Sequence, residues 1–181
     1  MIIYFIGFRG AGKSTLAKAM TQKTKGSLFW DCDEVFESRF GMSILQWIEK
    51  HGENSFREKE FEIICLIEAE IATCQESGEK PEIWNFVSTG GGFVEFPSSF
   101  QFLLKNPNPR IFIDCPLPLL WQRLKDAPDR LKVGNIASFS DFQRLYESRL
   151  SKYQNLATKT LVSEGASIEE DIKKLKALIF N

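Results

Sequence analysis

Gly7-Phe8-Arg9-Gly10-Ala11-Gly12-Lys13-Ser14 constrains this chain more than any other stretch. Its spacing, G-x-x-x-x-G-K-[ST], puts glycines where a backbone turns sharply and a lysine and a hydroxyl where a helix begins. Ile2–Ile6 before it is an apolar run of strand length, and Ser14–Met20 after it reads as the start of a helix. Strand, glycine-rich loop and helix in that order turn backbone N–H groups inward at a helix N-terminus, a ready cradle for a polyphosphate. Gly10 and Gly12 allow conformations that a Cβ resists. In such a P-loop Lys13 reaches the outer phosphates and the Ser14 hydroxyl can ligate Mg2+. The plain alternative is a glycine-rich turn that only caps a helix.

The remaining apolar runs repeat the rhythm that the loop sets. Strands are predicted at Leu28–Trp30, Ile83–Ser88, Arg110–Cys115 and Thr160–Val162. Helices are predicted at Lys13–Lys25, Glu34–Arg39, Ser43–His51, Glu53–Glu76, Pro118–Leu124, Ser140–Asn155 and Ile168–Ile179. Near-continuous apolar strands between helices imply right-handed crossovers and a parallel sheet covered on both faces, an α/β three-layer sandwich. At 181 residues the chain is read as one domain. Glu76–Pro81 is a polar turn, and Lys125–Ala137, with Pro128 and Gly134, reads as a mobile excursion.

Charge excludes one class. Lys and Arg number 23 against 24 Asp and Glu, a net charge of -1, which argues against a dedicated nucleic-acid binder. The four cysteines, Cys32, Cys65, Cys74 and Cys115, show no paired zinc spacing and suit reduced thiols. No stretch is long and apolar enough to cross a bilayer, and Met1 leads directly into the first strand, so a cytoplasmic protein is expected. The lone histidine, His51, reads as a helix-end surface residue.

Four further sites carry chemistry. Asp31-Cys32-Asp33 ends the second strand; on an extended segment alternate side chains share a face, so both carboxylates should look off the carboxyl end of the sheet. They could order a metal, orient a substrate hydroxyl, or simply cap the next helix. In Phe56-Arg57-Glu58-Lys59-Glu60, Arg57 and Glu60 are i,i+3 neighbours. They form either a plain helix pair or an oriented guanidinium for an anionic substrate. Ser88-Thr89-Gly90-Gly91-Gly92 spends backbone entropy on a triple glycine, explained by close approach of main chain to a ligand or by a plain loop. Ser88 stands where many P-loop enzymes carry an acid, which leaves Asp31 as the supplier for a metal. Arg123, Arg130 and Arg149 are scattered arginines that, taken singly, are commonly just solvated.

Taken in order, G-x-x-x-x-G-K-S, D-x-D, F-R-x-x-E and G-G-G, the chain resembles the shikimate kinase family over essentially its whole length. The resemblance implies a nucleoside-monophosphate-kinase-like P-loop fold with a five-stranded parallel sheet, a substrate-binding region at about 31–61 and a lid at about 125–137. It implies ATP-dependent phosphorylation of shikimate, a step of aromatic amino-acid biosynthesis. By position, Gly10, Ala11, Gly12, Lys13, Ser14 and Thr15 would bind ATP phosphates, and Ser14 and Asp31 would hold Mg2+. Asp33 would contact the reacting hydroxyl and is the candidate base. Arg57 and Arg149 would grip the shikimate carboxylate, with backbone contacts from Gly90, Gly91 and Gly92. Arg130 would be the lid arginine on the transferring phosphate and Arg123 the residue stacking on adenine. The lid reads Arg130-Leu131-Lys132-Val133 where the family usually reads Arg-Pro-Leu-Leu, and Val162–Ser167 lacks the basic residue often found near adenine. Trp47-Ile48 falls where an aromatic often lines the shikimate pocket. The expected partner is the small molecule shikimate alone, with no nucleic acid, no membrane and a monomeric chain. Two rival readings stand beside this one: another small-molecule or nucleotide kinase on the same fold, and a nucleotide-binding regulatory module without catalysis.

Overall fold

Every residue of Ile2–Ile6 is buried, as expected for a strand covered on both faces. In the computed structural model, which describes residues 1–76, 83–125, 136–165 and 167–180, this segment is β1. The other strands are β2 (Leu28–Asp31), β3 (Asn85–Ser88), β4 (Arg110–Asp114) and β5 (Lys159–Val162). They form one five-stranded sheet, order β2-β3-β1-β4-β5, with every pairing parallel. The order reverses at β1: its neighbours are β3 and β4, and the chain leaves its carboxyl end into the glycine-rich loop. That is the position where open α/β sheets bind ligands.

Helices connect the strands. They are α1 (Lys13–Lys23), α2 (Cys32–Phe40), α3 (Ile44–His51), α4 (Glu53–Glu76), α5 (Pro97–Lys105), α6 (Leu117–Lys125), α7 (Phe139–Leu156) and α8 (Ile168–Phe180). A 3-10 turn, Phe93–Glu95, follows the triple glycine. The predicted elements agree with these within a few residues at each end. Helix α5 is the exception, lying in a stretch where the sequence reading places no element. Pro97 opens it, a residue preorganised for the first turn, but Phe100 and Phe102 weaken the helical signal.

The core runs along both sheet faces. Phe5 meets Phe86 edge-on at 6.1 Å, and Phe112 stacks on Tyr153 at 5.4 Å and 12°. Phe8, just past β1, packs edge-on against Phe142 at 5.2 Å and Tyr146 at 5.5 Å, which pins the glycine-rich loop to α7. Each such fully buried side chain stabilises the fold by roughly 1.5–3 kcal/mol. All four cysteines are free thiols. His51 is exposed at the end of α3, with its ring 4.5 Å from that of Trp47. No helix among the described residues is long and apolar enough to cross a membrane. Arg130 and residues 126–135 of the expected lid lie outside the described residues.

Candidate active site

The glycine-rich loop adopts the shape that its sequence requires. Gly10 and Gly12 have φ of 81° and 92°, the left-handed region that side-chain-bearing residues avoid. Helix α1 then starts with no side-chain cap and no acidic residue in its first turn. By contrast α2, α3 and α7 are capped by Asp31, Ser43 and Ser138. The uncapped N–H groups of α1 and the positive end of its dipole are left for an anion. Lys13 is buried and its Nζ donates to Phe8 O at 3.0 Å. Ser14 Oγ lies 3.1 Å from Ser88 Oγ, so the β3 position that often carries an acid here presents a hydroxyl. Behind the loop, Arg123 Nη1 donates to Gly10 O at 3.0 Å and sits 3.7 Å from Cys115 Sγ.

Asp31 and Asp33 reach the site by a different route from the one expected. Helix α2 begins at Cys32, so the segment is not extended and strand alternation does not apply. Asp31 caps the helix: its Oδ1 accepts from Asp33 N at 2.9 Å and Glu34 N at 3.3 Å. Asp33 occupies the first helical turn. Both residues still border one cavity of about 550 Å³, together with Arg9, Gly10, Gly12, Lys13, Ser14, Thr15, Arg57, Glu60 and the triple glycine. Asp33 borders that cavity, with its Oδ1 close against Gly90. Its loss of surrounding water, followed by the Glu60 and Asp31 carboxylates, pushes its carboxyl upward, against the pull of Lys13 and Arg57.

Arg57 forms the helix pair that its motif allows, and it does so on the wall of the cavity. Its Nη1 donates to Glu60 Oε2 at 2.8 Å and its Nη2 to Glu53 Oε1 at 2.9 Å, and its Cζ lies 4.9 Å from the Phe56 ring centre. Burial opposes its charge, but the Glu60 and Glu53 carboxylates outweigh burial and hold its proton more tightly than usual. Glu60 is 2% exposed, and its Oε1 is buried without a hydrogen-bond partner. Desolvation raises its carboxyl above the normal range despite Arg57.

The triple glycine is a matter of space. A Cβ on Gly90 would overlap Glu60 Oε1 and lie 3.1 Å from Asp33 Oδ1. One on Gly91 would lie 2.7 Å from Arg9 N, and one on Gly92 2.6 Å from Arg57 Cζ. Each glycine therefore admits a different site residue. Arg149 is 2% exposed; its Nη1 donates to Gly91 O at 3.1 Å, its Nη2 pairs with Glu95, and Tyr153 OH donates to the same Gly91 O. It sits one layer behind the cavity wall. Trp47 packs among Phe36, Phe40 and His51, leaving Ile44, Leu45 and Phe56 as the apolar wall.

Sequence reasoning missed Arg9, Glu53, Glu95 and Tyr153. Glu53 was visible as the i,i+4 partner of Arg57, and Tyr153 as the i,i+4 neighbour of Arg149. Arg9 occupies a variable position of its motif, and Glu95 meets Arg149 only through the fold.

Comparison with known proteins fixes the family. The family model described as shikimate kinase matches residues 9–179. A shikimate kinase of Staphylococcus aureus strain JH9 is 33% identical over 179 residues, 98% of this chain and 92% of that protein. The chain belongs to the shikimate kinase family. It is accordingly a kinase, a phosphotransferase. Among solved shikimate kinases, that of Aquifex aeolicus is 28% identical with a TM-score of 0.73, covering 99% of this chain and 96% of that one. That of Acinetobacter baumannii, in complex with shikimate, is 24% identical with a TM-score of 0.79, covering 99% and 92%, and shares the fold.

Proposed function

We propose that this shikimate kinase family member transfers the γ-phosphoryl group of ATP to the 3-hydroxyl of shikimate, giving ADP and shikimate 3-phosphate. The observation that carries this reading is a single cavity bordered by the phosphate-cradling loop, the Asp33 carboxylate and the Arg57 guanidinium. A phosphoryl donor and a small anionic alcohol fit those three features together.

Gly10, Ala11, Gly12, Lys13, Ser14 and Thr15 would hold the ATP phosphates through backbone N–H groups and the lysine. The residues present also fit Mg2+, since Ser14 and Asp31 border the same cavity with a hydroxyl and a carboxylate. No cluster of three or more ligating side chains exists among the described residues. That suits an ion that keeps several waters and phosphate oxygens as ligands. Bound there, Mg2+ would neutralise charge on the phosphates. Asp33 would orient the acceptor hydroxyl and take its proton. Arg57 on the wall, with Arg149 behind Gly91, supplies the positive field for the substrate carboxylate. Arg130 of the lid would stabilise the transferring group, and Arg123 would flank the adenine while holding Gly10. Phosphoryl transfer needs positioning and charge neutralisation above all, and this residue set supplies both. The chain is proposed to act as a single-domain monomer in the cytoplasm, with no nucleic-acid partner, in keeping with its net charge of -1.

The test is ADP release at fixed Mg2+ with and without shikimate. Release that depends on shikimate supports the assignment. Release unaffected by shikimate but stimulated by another alcohol or nucleotide overturns it.

A further inference from the structure

Arg9 is the third residue of the phosphate loop, a position whose identity the phosphate-binding motif leaves open. It is half-buried and borders the cavity, as does Arg57. Two consecutive glycines seat these two arginines. A Cβ on Gly91 would lie 2.7 Å from Arg9 N, 3.1 Å from its Cα and 3.2 Å from its Cβ, and one on Gly92 would fall into the Arg57 guanidinium. Neighbouring points on one strand of main chain therefore hold two arginines side by side against the same cavity. Arg149 stands immediately behind, with its guanidinium engaged by Gly91 O, Glu95 and the face of Phe8.

This crowding has an electrostatic consequence. Burial, and then the like charges of Arg149 and Arg57, loosen the hold of Arg9 on its proton, bringing it down to about 10. Tyr153 and then Glu53 act in the opposite direction. Guanidinium groups crowded together and partly desolvated make the cavity beside them one that calls for an anionic ligand. A carboxylate meets that need best, because a guanidinium matches its two oxygens with two parallel N–H donors.

We propose that Arg9 joins Arg57 as a direct ligand of the acceptor's carboxylate, with Arg149 fixing the Gly91 main chain behind both. The inference rests on the reading that the acceptor is shikimate and deepens it. The phosphate loop thereby serves both substrates. Its main chain holds the donor, and the side chain at its third position sets acceptor specificity.

The experiment compares wild type with Arg9→Met on two acceptors, shikimate and its carboxamide. For Arg9→Met the KM for shikimate should rise roughly 10- to 100-fold, the scale of a charge-assisted hydrogen bond. The KM for ATP should stay within about threefold, and on the carboxamide the two enzymes should agree within about threefold. If Arg9→Met loses as much on the carboxamide as on shikimate, or if the KM for ATP rises in step, Arg9 only shapes the loop and the proposal fails. A wild-type enzyme that uses the carboxamide as well as shikimate removes the carboxylate reading of the whole site, and this proposal with it. Should Arg9→Met fold poorly, Arg9→Lys gives the same comparison, with a smaller loss confined to the carboxylate substrate.

Discussion

Gly92→Ala isolates the contact that seats Arg57 for its proposed role in binding the acceptor. Gly92 sits at φ −108° and ψ 2°, which alanine adopts without backbone strain, so the substitution tests space alone. The new Cβ would stand 2.6 Å from Arg57 Cζ and 2.7 Å from its Nη1, closer than non-bonded carbons and nitrogens approach. The guanidinium is the far end of a flexible side chain and would move in preference to the loop. Its bonds to Glu60 at 2.8 Å and Glu53 at 2.9 Å would then be lost or re-aimed, along with its presentation to the substrate. Losing a hydrogen bond to a charged group costs about 1.5–3 kcal/mol, equivalent to about a 10- to 150-fold rise in the KM for shikimate. The KM for ATP should stay within about twofold, because the change lies outside the phosphate loop. Gly91→Ala is the contrast. Its Cβ would meet the main chain of Arg9, which cannot swing aside. It should therefore cost about 1–3 kcal/mol of stability and raise KM for both substrates. Initial rates in a coupled ADP assay, with each substrate varied, separate the two patterns. A Gly92→Ala enzyme whose KM for shikimate is unchanged, or whose KM for ATP rises equally, would mean that this contact does not aim Arg57 at the substrate.

Asp33→Asn should lower turnover by roughly 10²–10⁴-fold, the range for loss of a positioned base, while ATP binding, followed by fluorescence or calorimetry, stays near wild type. The same variant should melt higher than wild type at pH 8 and no higher at pH 4. The Asp33 carboxyl is raised in the fold, to about 7, so its ionised form is disfavoured there. The resulting destabilisation is absent below the unfolded value, about 3.9, grows as pH rises from there to about 7, and stays constant above it. Equal or lower melting temperatures at pH 8 would contradict that sign. Arg123→Ala removes the donor to Gly10 O. It should raise the KM for ATP about 2- to 10-fold, in line with about 0.5–1.5 kcal/mol for one hydrogen bond, without moving that for shikimate. An equal change for both substrates would show that Arg123 supports more than the loop.

Much of this arrangement was legible in the sequence because it rests on local rules. An unbroken apolar run predicted β1, and glycine spacing predicted the left-handed turns at Gly10 and Gly12. Helix α4 was recognised at its observed ends. Other features were hidden because they depend on three-dimensional packing. Strand alternation was extended one turn too far at Asp31-Cys32-Asp33, since a capping carboxylate starts a helix as readily as it ends a strand. The triple glycine allowed two readings, close approach of main chain to a ligand or a plain loop, and the fold adds a demand neither contains: on the cavity's border, its missing side chains make room for Arg9, Arg57 and Glu60. Glu95, 54 residues before its partner Arg149, carries no local signal at all. The Arg57–Glu60 pair offered two interpretations; the fold shows the helix pair and sets it on the cavity wall, where the proposed grip on an anionic substrate requires it.

The proposed function reduces to a question of geometry: donor and acceptor are proposed to meet in the one cavity that the phosphate loop, Asp33 and Arg57 border. A crystal structure with ADP, Mg2+ and shikimate bound would decide it. The expected complex has the shikimate carboxylate in hydrogen-bond reach of Arg57, its 3-hydroxyl on Asp33, and the ADP phosphates on the Gly10–Thr15 backbone. Shikimate bound with its carboxylate turned away from Arg57, or with its 3-hydroxyl remote from Asp33, would rule that geometry out.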